Sequence, residues 1–213
     1  MIMPEPYHER RRIGRDELDA LFAGLGRALA KPLTAWDIGG SPMVYRGLKA
    51  GTKDADLVVD SPRDRDLVRD VLVRDGYRDA GFLPGYEGME GILLRRTGQL
   101  GVDLFVHRIM EGFRLTPSMK KRADGPATFD NLRIFHCANE DIFLLKAITH
   151  RPDDDQDVLV LAGTGLDAKV MQAEVRIQQR LSGDNWPWKV FHALEAIEER
   201  TGVAIPIKSD LVE

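Results

Sequence analysis

Residues 33–60 read LTAWDIGGSPMVYRGLKAGTKDADLVVD, and the order of signals in this stretch decides the fold. Leu33 to Ile38 reads as a short strand, which Gly39-Gly40 ends. Ser41-Pro42 then opens a short helix through Arg46, because proline is accommodated in a first helical turn. After Gly47 and Gly51, a second strand is expected over Asp54 to Asp60, with Leu57, Val58 and Val59 in its middle as in a central strand. Strand, glycine turn and helix N-terminus together make a cradle for an anion, to which the Ser41 hydroxyl adds a donor. Side chains alternate along a strand, so Asp54 and Asp56 project from one face, where two carboxylates can share one divalent cation.

Outward from this stretch, Leu18, Leu21, Phe22, Leu25 and Leu29 recur at helical spacing from Asp16 until Lys31-Pro32 stops them. Residues 1–12 are polar, carry Pro4 and Pro6, and read as a flexible arm. On the other side, Ser61-Pro62 caps a helix that runs on Leu67, Val68, Val71 and Leu72 and stops at Gly76. Gly91 to Arg96 and Val102 to His107 are strand candidates joined by a turn-like Thr97 to Gly101, and so form a hairpin. The second of these carries Asp103, a third acid placed to activate a hydroxyl or to hold a second metal ion. Met110 to Asn131 reads as irregular, with the basic run Lys120, Lys121 and Arg122, and Leu132 to Cys137 as a last strand.

Beyond residue 138 the pattern is helical: from Asn139 through Ile148, from Pro152 to near Gly163, Leu166 to Leu181, and Pro187 to Arg200. The expected architecture is a mixed β-sheet flanked by helices, an α+β core over residues 13–138, with a C-terminal helical lobe over 139–213 forming the other wall of a cleft.

Bulk properties narrow the function classes. The net charge of −4, from 30 basic and 34 acidic side chains, leaves no global footprint for a polyanion, so a nucleic acid would have to meet a local basic patch. A single cysteine, Cys137, makes no internal disulfide, and no Cys and His spacing suits a zinc site. No stretch approaches the length of a membrane span, and a soluble cytoplasmic chain is expected.

Gly39-Gly40-Ser41 followed by Thr52-Lys53-Asp54-Ala55-Asp56-Leu57 resembles the signature of the DNA polymerase β-like nucleotidyltransferase superfamily. With Arg46-Gly47, Asp141 to Lys146, Arg151, Asp154 and Asp157 added, the pattern resembles the minimal nucleotidyltransferases related to the AbiEii and MenT toxins, in order over residues 34–160. The resemblance implies magnesium-dependent transfer of a nucleotide from an NTP to an acceptor hydroxyl. It implies Asp54, Asp56 and Asp103 as catalytic acids and metal ligands, and Gly39, Gly40, Ser41, Arg46, Thr52 and Lys53 as nucleotide-binding residues. Lys146 falls on the family's helical lysine, facing the triphosphate, and Asp157 on its downstream acid, organising that lysine or the acceptor. The readings of use that stay open are toxin-like modification of RNA or tRNA with an antitoxin protein as partner, adenylylation of a small hydroxylated molecule of the antibiotic type, and a non-catalytic member that binds nucleotide or protein. Several of these residues also have plain structural roles, since a lysine among Leu144, Leu145 and Ile148 can snorkel from a packed helix and acids favour a first helical turn.

Overall fold

A computed structural model describes residues 11–81 and 90–212, so the N-terminal arm up to residue 10 lies outside the described residues. The chain divides into two compact units, Met1–Glu111 with Leu115–Cys137, and Gly112–Arg114 with Ala138–Glu213.

In the first unit, helix α1 (Arg15–Ala28) leads into strand β1 (Leu33–Asp37), the short helix α2 (Ser41–Tyr45), β2 (Asp54–Val59) and α3 (Pro62–Arg74). The Ser61 hydroxyl accepts from the Asp64 amide at 3.1 Å, and Pro62 follows it at the first helical position, which fixes where α3 starts. Then come β3 (Arg78–Asp79), β4 (Ile92–Arg95), β5 (Gly101–Val106), β6 (Arg108–Met110) and, after β7 (Phe113–Arg114) of the second unit, α4 (Pro117–Arg122), β8 (Asp124–Phe129) and β9 (Leu132–His136). Seven strands lie in the order β3-β4-β5-β2-β1-β9-β8 among the described residues. The sheet is mixed, with β2 parallel to β5 and β1 parallel to β9, while β1–β2, β4–β5 and β8–β9 run antiparallel.

The segment read as irregular, Met110 to Asn131, contains α4 and β8. Thr116-Pro117 is a cap and first-turn proline of the same kind as Ser61-Pro62, with the Thr116 hydroxyl accepting from Met119 N at 3.3 Å. Strand β8 carries Gly125-Pro126 and a register shift between Asp124 and Ala127, features a strand tolerates at the border of a sheet, where β8 sits.

One face of the sheet builds the core. Ala55, Leu57, Val59, Val102 and Leu104 are buried with Leu18, Phe22 and Leu25 of α1 and Val68, Val71 and Leu72 of α3. Each fully buried large aliphatic or aromatic side chain there contributes about 1.5–3 kcal/mol. Alternation sends the side chains between them, Asp54, Asp56 and Asp103, to the opposite face.

The second unit consists of α5 (Asn139–Ile148), α6 (Pro152–Ala162), α7 (Ala168–Ser182), α8 (Trp186–Thr201), a 3-10 helix (Pro206–Val212) and the extended pair β7 (Phe113–Arg114). Ile142 to Ile148 is buried all round, so α5 is the central helix of the unit. The Gln178 side-chain amide clamps β7 as a neighbouring strand would, accepting from Arg114 N at 3.0 Å and donating to Arg114 O at 2.7 Å. Arg200 holds Asp155 with two bonds of 2.7 and 2.8 Å, tying α8 to α6. No described helix is long and apolar enough to cross a membrane.

The packing of α1 on the sheet has no room at Gly26, where an added Cβ would stand 1.8 Å from the Phe129 carbonyl oxygen. Gly26→Ala should therefore lower stability by about 1–3 kcal/mol in urea denaturation, the clash outweighing the roughly 1 kcal/mol that alanine gains in a helix.

Candidate functional site

The parallel register of β2 and β5 pairs Asp56 with Asp103 and Asp54 with Gly101, so all three acids stand on one face of adjacent strands. Strand β4 adds a fourth charged group. Leu93 is opposite Asp103, and Arg95, two residues on, points to the same face. Its Nη1 donates to Asp103 Oδ1 and, at 2.9 Å, to the Leu94 carbonyl, while Nη2 lies 3.5 Å from Asp54 Oδ1. The side chains of Arg95, Asp54 and Asp103 are only 11%, 9% and 1% exposed, which makes this an ion cluster inside the protein. Arg95 carries no sequence signal of its own, but pairing the predicted hairpin strands would have brought an arginine beside the strand of Asp103.

The glycine turn lies against the same acids. Ile38 N donates to Asp56 O at 3.0 Å. A Cβ on Gly39 would stand 1.6 Å from Asp56 Oδ2, and one on Gly40 would stand 2.5 Å from Thr52 Oγ1 and 3.7 Å from Lys49 Nζ. The backbone at both positions approaches those side chains so closely that an added Cβ would force them to move. Thr52 in turn donates from its hydroxyl to Asp54 O at 3.0 Å. The structure thus brings together Gly39, Gly40, Thr52, Asp54, Asp56 and Asp103, and adds Lys49 and Arg95. Asp56 and Lys53 are half-buried, whereas Asp54 and Asp103 are buried.

Ser41 and Arg46 are engaged elsewhere. The Ser41 hydroxyl, expected to add a donor to the cradle, gives its proton to Asp37 Oδ1. Asp37 is fully buried, and its other oxygen lies 3.1 Å from His136 Nδ1. Tyr45 packs its ring on His136 at 4.3 Å and donates to Asp19 at 2.6 Å; burial and the Asp19 carboxylate raise its pKa above the ordinary tyrosine value. Arg46 donates to Asp124 Oδ2 at 2.8 Å and to the Cys137 carbonyl at 2.6 Å, which ties α2 to β8 and the end of β9.

Lys146 and Asp157 meet in the second unit. Lys146 Nζ lies 2.6 Å from Asp154 Oδ1 and 2.8 Å from Asp157 Oδ2, and Asp154 also accepts from Thr149 at 2.8 Å and Arg151 at 3.0 Å. Burial works against the Lys146 ammonium, but Asp154 and Asp157 override it and raise its pKa. Burial likewise works against the Asp154 carboxylate, and Lys146 with Arg151 overrides it and depresses that pKa. These charges satisfy one another within α5, α6 and the turn between them.

The acids can be tested as magnesium ligands on this geometry. Among the described residues, no group of three or more His, Cys, Asp or Glu side chains is arranged to hold a metal ion. The guanidinium in contact with both Asp54 and Asp103 accords with that, because it brings a positive charge between two of the three acids. Asp54 and Asp56 remain as the donor pair, and they suit magnesium, which takes one or two carboxylates and completes its octahedron with water and phosphate oxygens.

No protein-family model matches the sequence, and no curated protein matches it. Among solved structures, the chain is similar to an antigenic nucleotidyltransferase-like protein from Paracoccidioides brasiliensis, with 15% identity, a TM-score of 0.50 and 95% of each chain covered. The chain has a nucleotidyltransferase-like fold. The match to JHP933 from Helicobacter pylori, with 11% identity over 92% of this chain and 86% of that one, has a TM-score of 0.43, too low to support a shared fold.

Within the nucleotidyltransferase-like fold, contact between the glycine turn and Asp56 makes a direct expectation. Gly39→Ala should displace the Asp56 carboxylate and lower stability by about 1–3 kcal/mol. Gly24→Ala, in a helix with nothing within 4 Å of the added carbon, should leave stability equal or higher. Equal denaturation midpoints for wild type and Gly39→Ala would contradict the close approach.

Proposed function

We propose that the chain is a magnesium-dependent nucleotidyltransferase that moves a nucleotide from an NTP to an acceptor hydroxyl. The observation that carries this reading is the Asp56 carboxylate packed against Gly39, with Asp54 and Asp103 on the same sheet face. Asp54 and Asp56 would hold the magnesium, which supplies charge neutralisation for the triphosphate when bound. Gly39-Gly40 is buried against Asp56 and Thr52, and Lys49 beside the turn is the cation that would meet the phosphate oxygens. In the transfer, the acceptor oxygen bonds to the α-phosphorus, the bond from that phosphorus to the bridging oxygen breaks, and pyrophosphate leaves. The hydroxyl proton passes to a carboxylate of this face. Asp103 is buried and bonded to Arg95, so the half-buried Asp56 would receive it, on an oxygen not engaged by the magnesium.

For the acceptor we favour RNA or tRNA, as in the toxin-like members whose activity an antitoxin protein restrains. The supporting feature is the basic run of α4. Trp36 is opposite Val58, which alternates with Asp56, so Trp36 belongs to the acid face, and Lys120 Nζ lies 4.0 Å from the centre of its ring. Lys121 and Arg122 follow it in the same helix, and Lys120 also pairs with Asp60.

Labelled NTPs incubated with magnesium, and with either total RNA or a panel of small hydroxylated compounds, test the proposal. Label is expected in RNA, and Asp54→Asn and Asp56→Asn are each expected to abolish it. Label in the small compounds alone would move the acceptor to the antibiotic type. Labelling unchanged in both variants would contradict the carboxylate mechanism.

A further inference from the structure

Resting on the nucleotidyltransferase reading of the acid face, we propose that Arg95 is a built-in cation standing where a second metal ion would sit, so that the centre takes one divalent ion. The single metal site is then Asp54 with Asp56. Asp103 is the anchor of the arginine.

Three observations carry this. First, one guanidinium contacts two of the three carboxylates on this face, Asp54 and Asp103. A two-metal phosphoryl-transfer centre holds its ions roughly 3.5–4 Å apart on shared carboxylates, and a guanidinium bonded to Asp103 Oδ1 competes with a second ion for that carboxylate. Second, the arginine is held by the fold. Register places Arg95 on the acid face, its Nη1 also donates to the Leu94 carbonyl at 2.9 Å, and its side chain is almost fully enclosed. Third, the described residues contain no cluster of three metal-ligating side chains, even though three aspartates share the face.

The substitution has chemical consequences. Arginine keeps its charge at every working pH and presents its donors in a rigid fork, so it neutralises the carboxylates permanently. Unlike a metal ion, it has no coordination site for an acceptor oxygen and does not convert a bound hydroxyl into its anion. Activation of the acceptor therefore falls to a carboxylate, which is why Arg95 is a positioning residue of the centre rather than a catalytic one.

The test counts manganese bound per chain by equilibrium dialysis, at saturating concentrations of a mixture of the four α,β-methylene NTPs, with a nucleotide-only control. The wild type is expected to bind one ion, Arg95→Lys one, and Arg95→Gln two, with circular dichroism confirming that each variant is folded. Two ions in the wild type, or one in a folded Arg95→Gln, would overturn the proposal while leaving the nucleotidyltransferase reading intact. No ion in the wild type would overturn both. If Arg95→Gln does not fold, the wild-type count decides, one ion supporting the proposal and two refuting it.

Discussion

The Asp56 carboxylate rests against the Cα of Gly39, so close that a methyl group there would sit 1.6 Å from its oxygen. This contact requires the end of β1 to pass directly beside β2, which the bond from Ile38 N to Asp56 O secures. With β2 placed, its parallel register to β5 sets Asp103 level with Asp56, and β4 on the far side of β5 sets Arg95 beside Asp103. The other face of the same strands is apolar and buried under α1 and α3. One strand pair therefore does two jobs. Its inward side chains hold the unit together, and its outward ones concentrate charge.

That concentration has an electrostatic cost, and both units meet it in the same manner. Carboxylates withdrawn from water are unfavourable unless a cation and hydrogen bonds are provided. In the first unit Arg95 serves Asp54 and Asp103. In the second, Lys146 serves Asp154 and Asp157, with Thr149 and Arg151 completing Asp154. Removing one member of such a cluster leaves another buried without its partner, so these groups restrict the conformation as much as they stabilise it. The two clusters differ in what lies beside them. The acids of the first adjoin the glycine turn Gly39-Gly40, whose backbone packs against Asp56 and Thr52.

Much of the frame was legible in the sequence because local signals agreed with one another. Helix α3 begins where Ser61-Pro62 said it would, and β2 spans the apolar run behind its two aspartates. The mixed sheet flanked by helices follows from that order of elements. Strand β8 and helix α4 were not read, since Asp124-Gly125-Pro126 looks like a turn and becomes a strand only by pairing with β9, a long-range bond with no local signature. The partners of Ser41 and Arg95 were hidden for the same reason. Ser41 meets Asp37 through the bend of the glycine turn, and Arg95 meets Asp103 through a hairpin register that spacing alone does not fix. Alternation along β2 showed that Asp54 and Asp56 share a face, but not that a cation of the chain itself stands beside them.

On the proposed function, the glycine turn and the aspartates beside it receive an NTP together with magnesium. Titration calorimetry of the intact protein with each NTP, once with magnesium and once with EDTA, tests it most directly. Binding with magnesium that disappears in EDTA is the predicted result. Equal binding in both conditions, or none to any NTP, would contradict it.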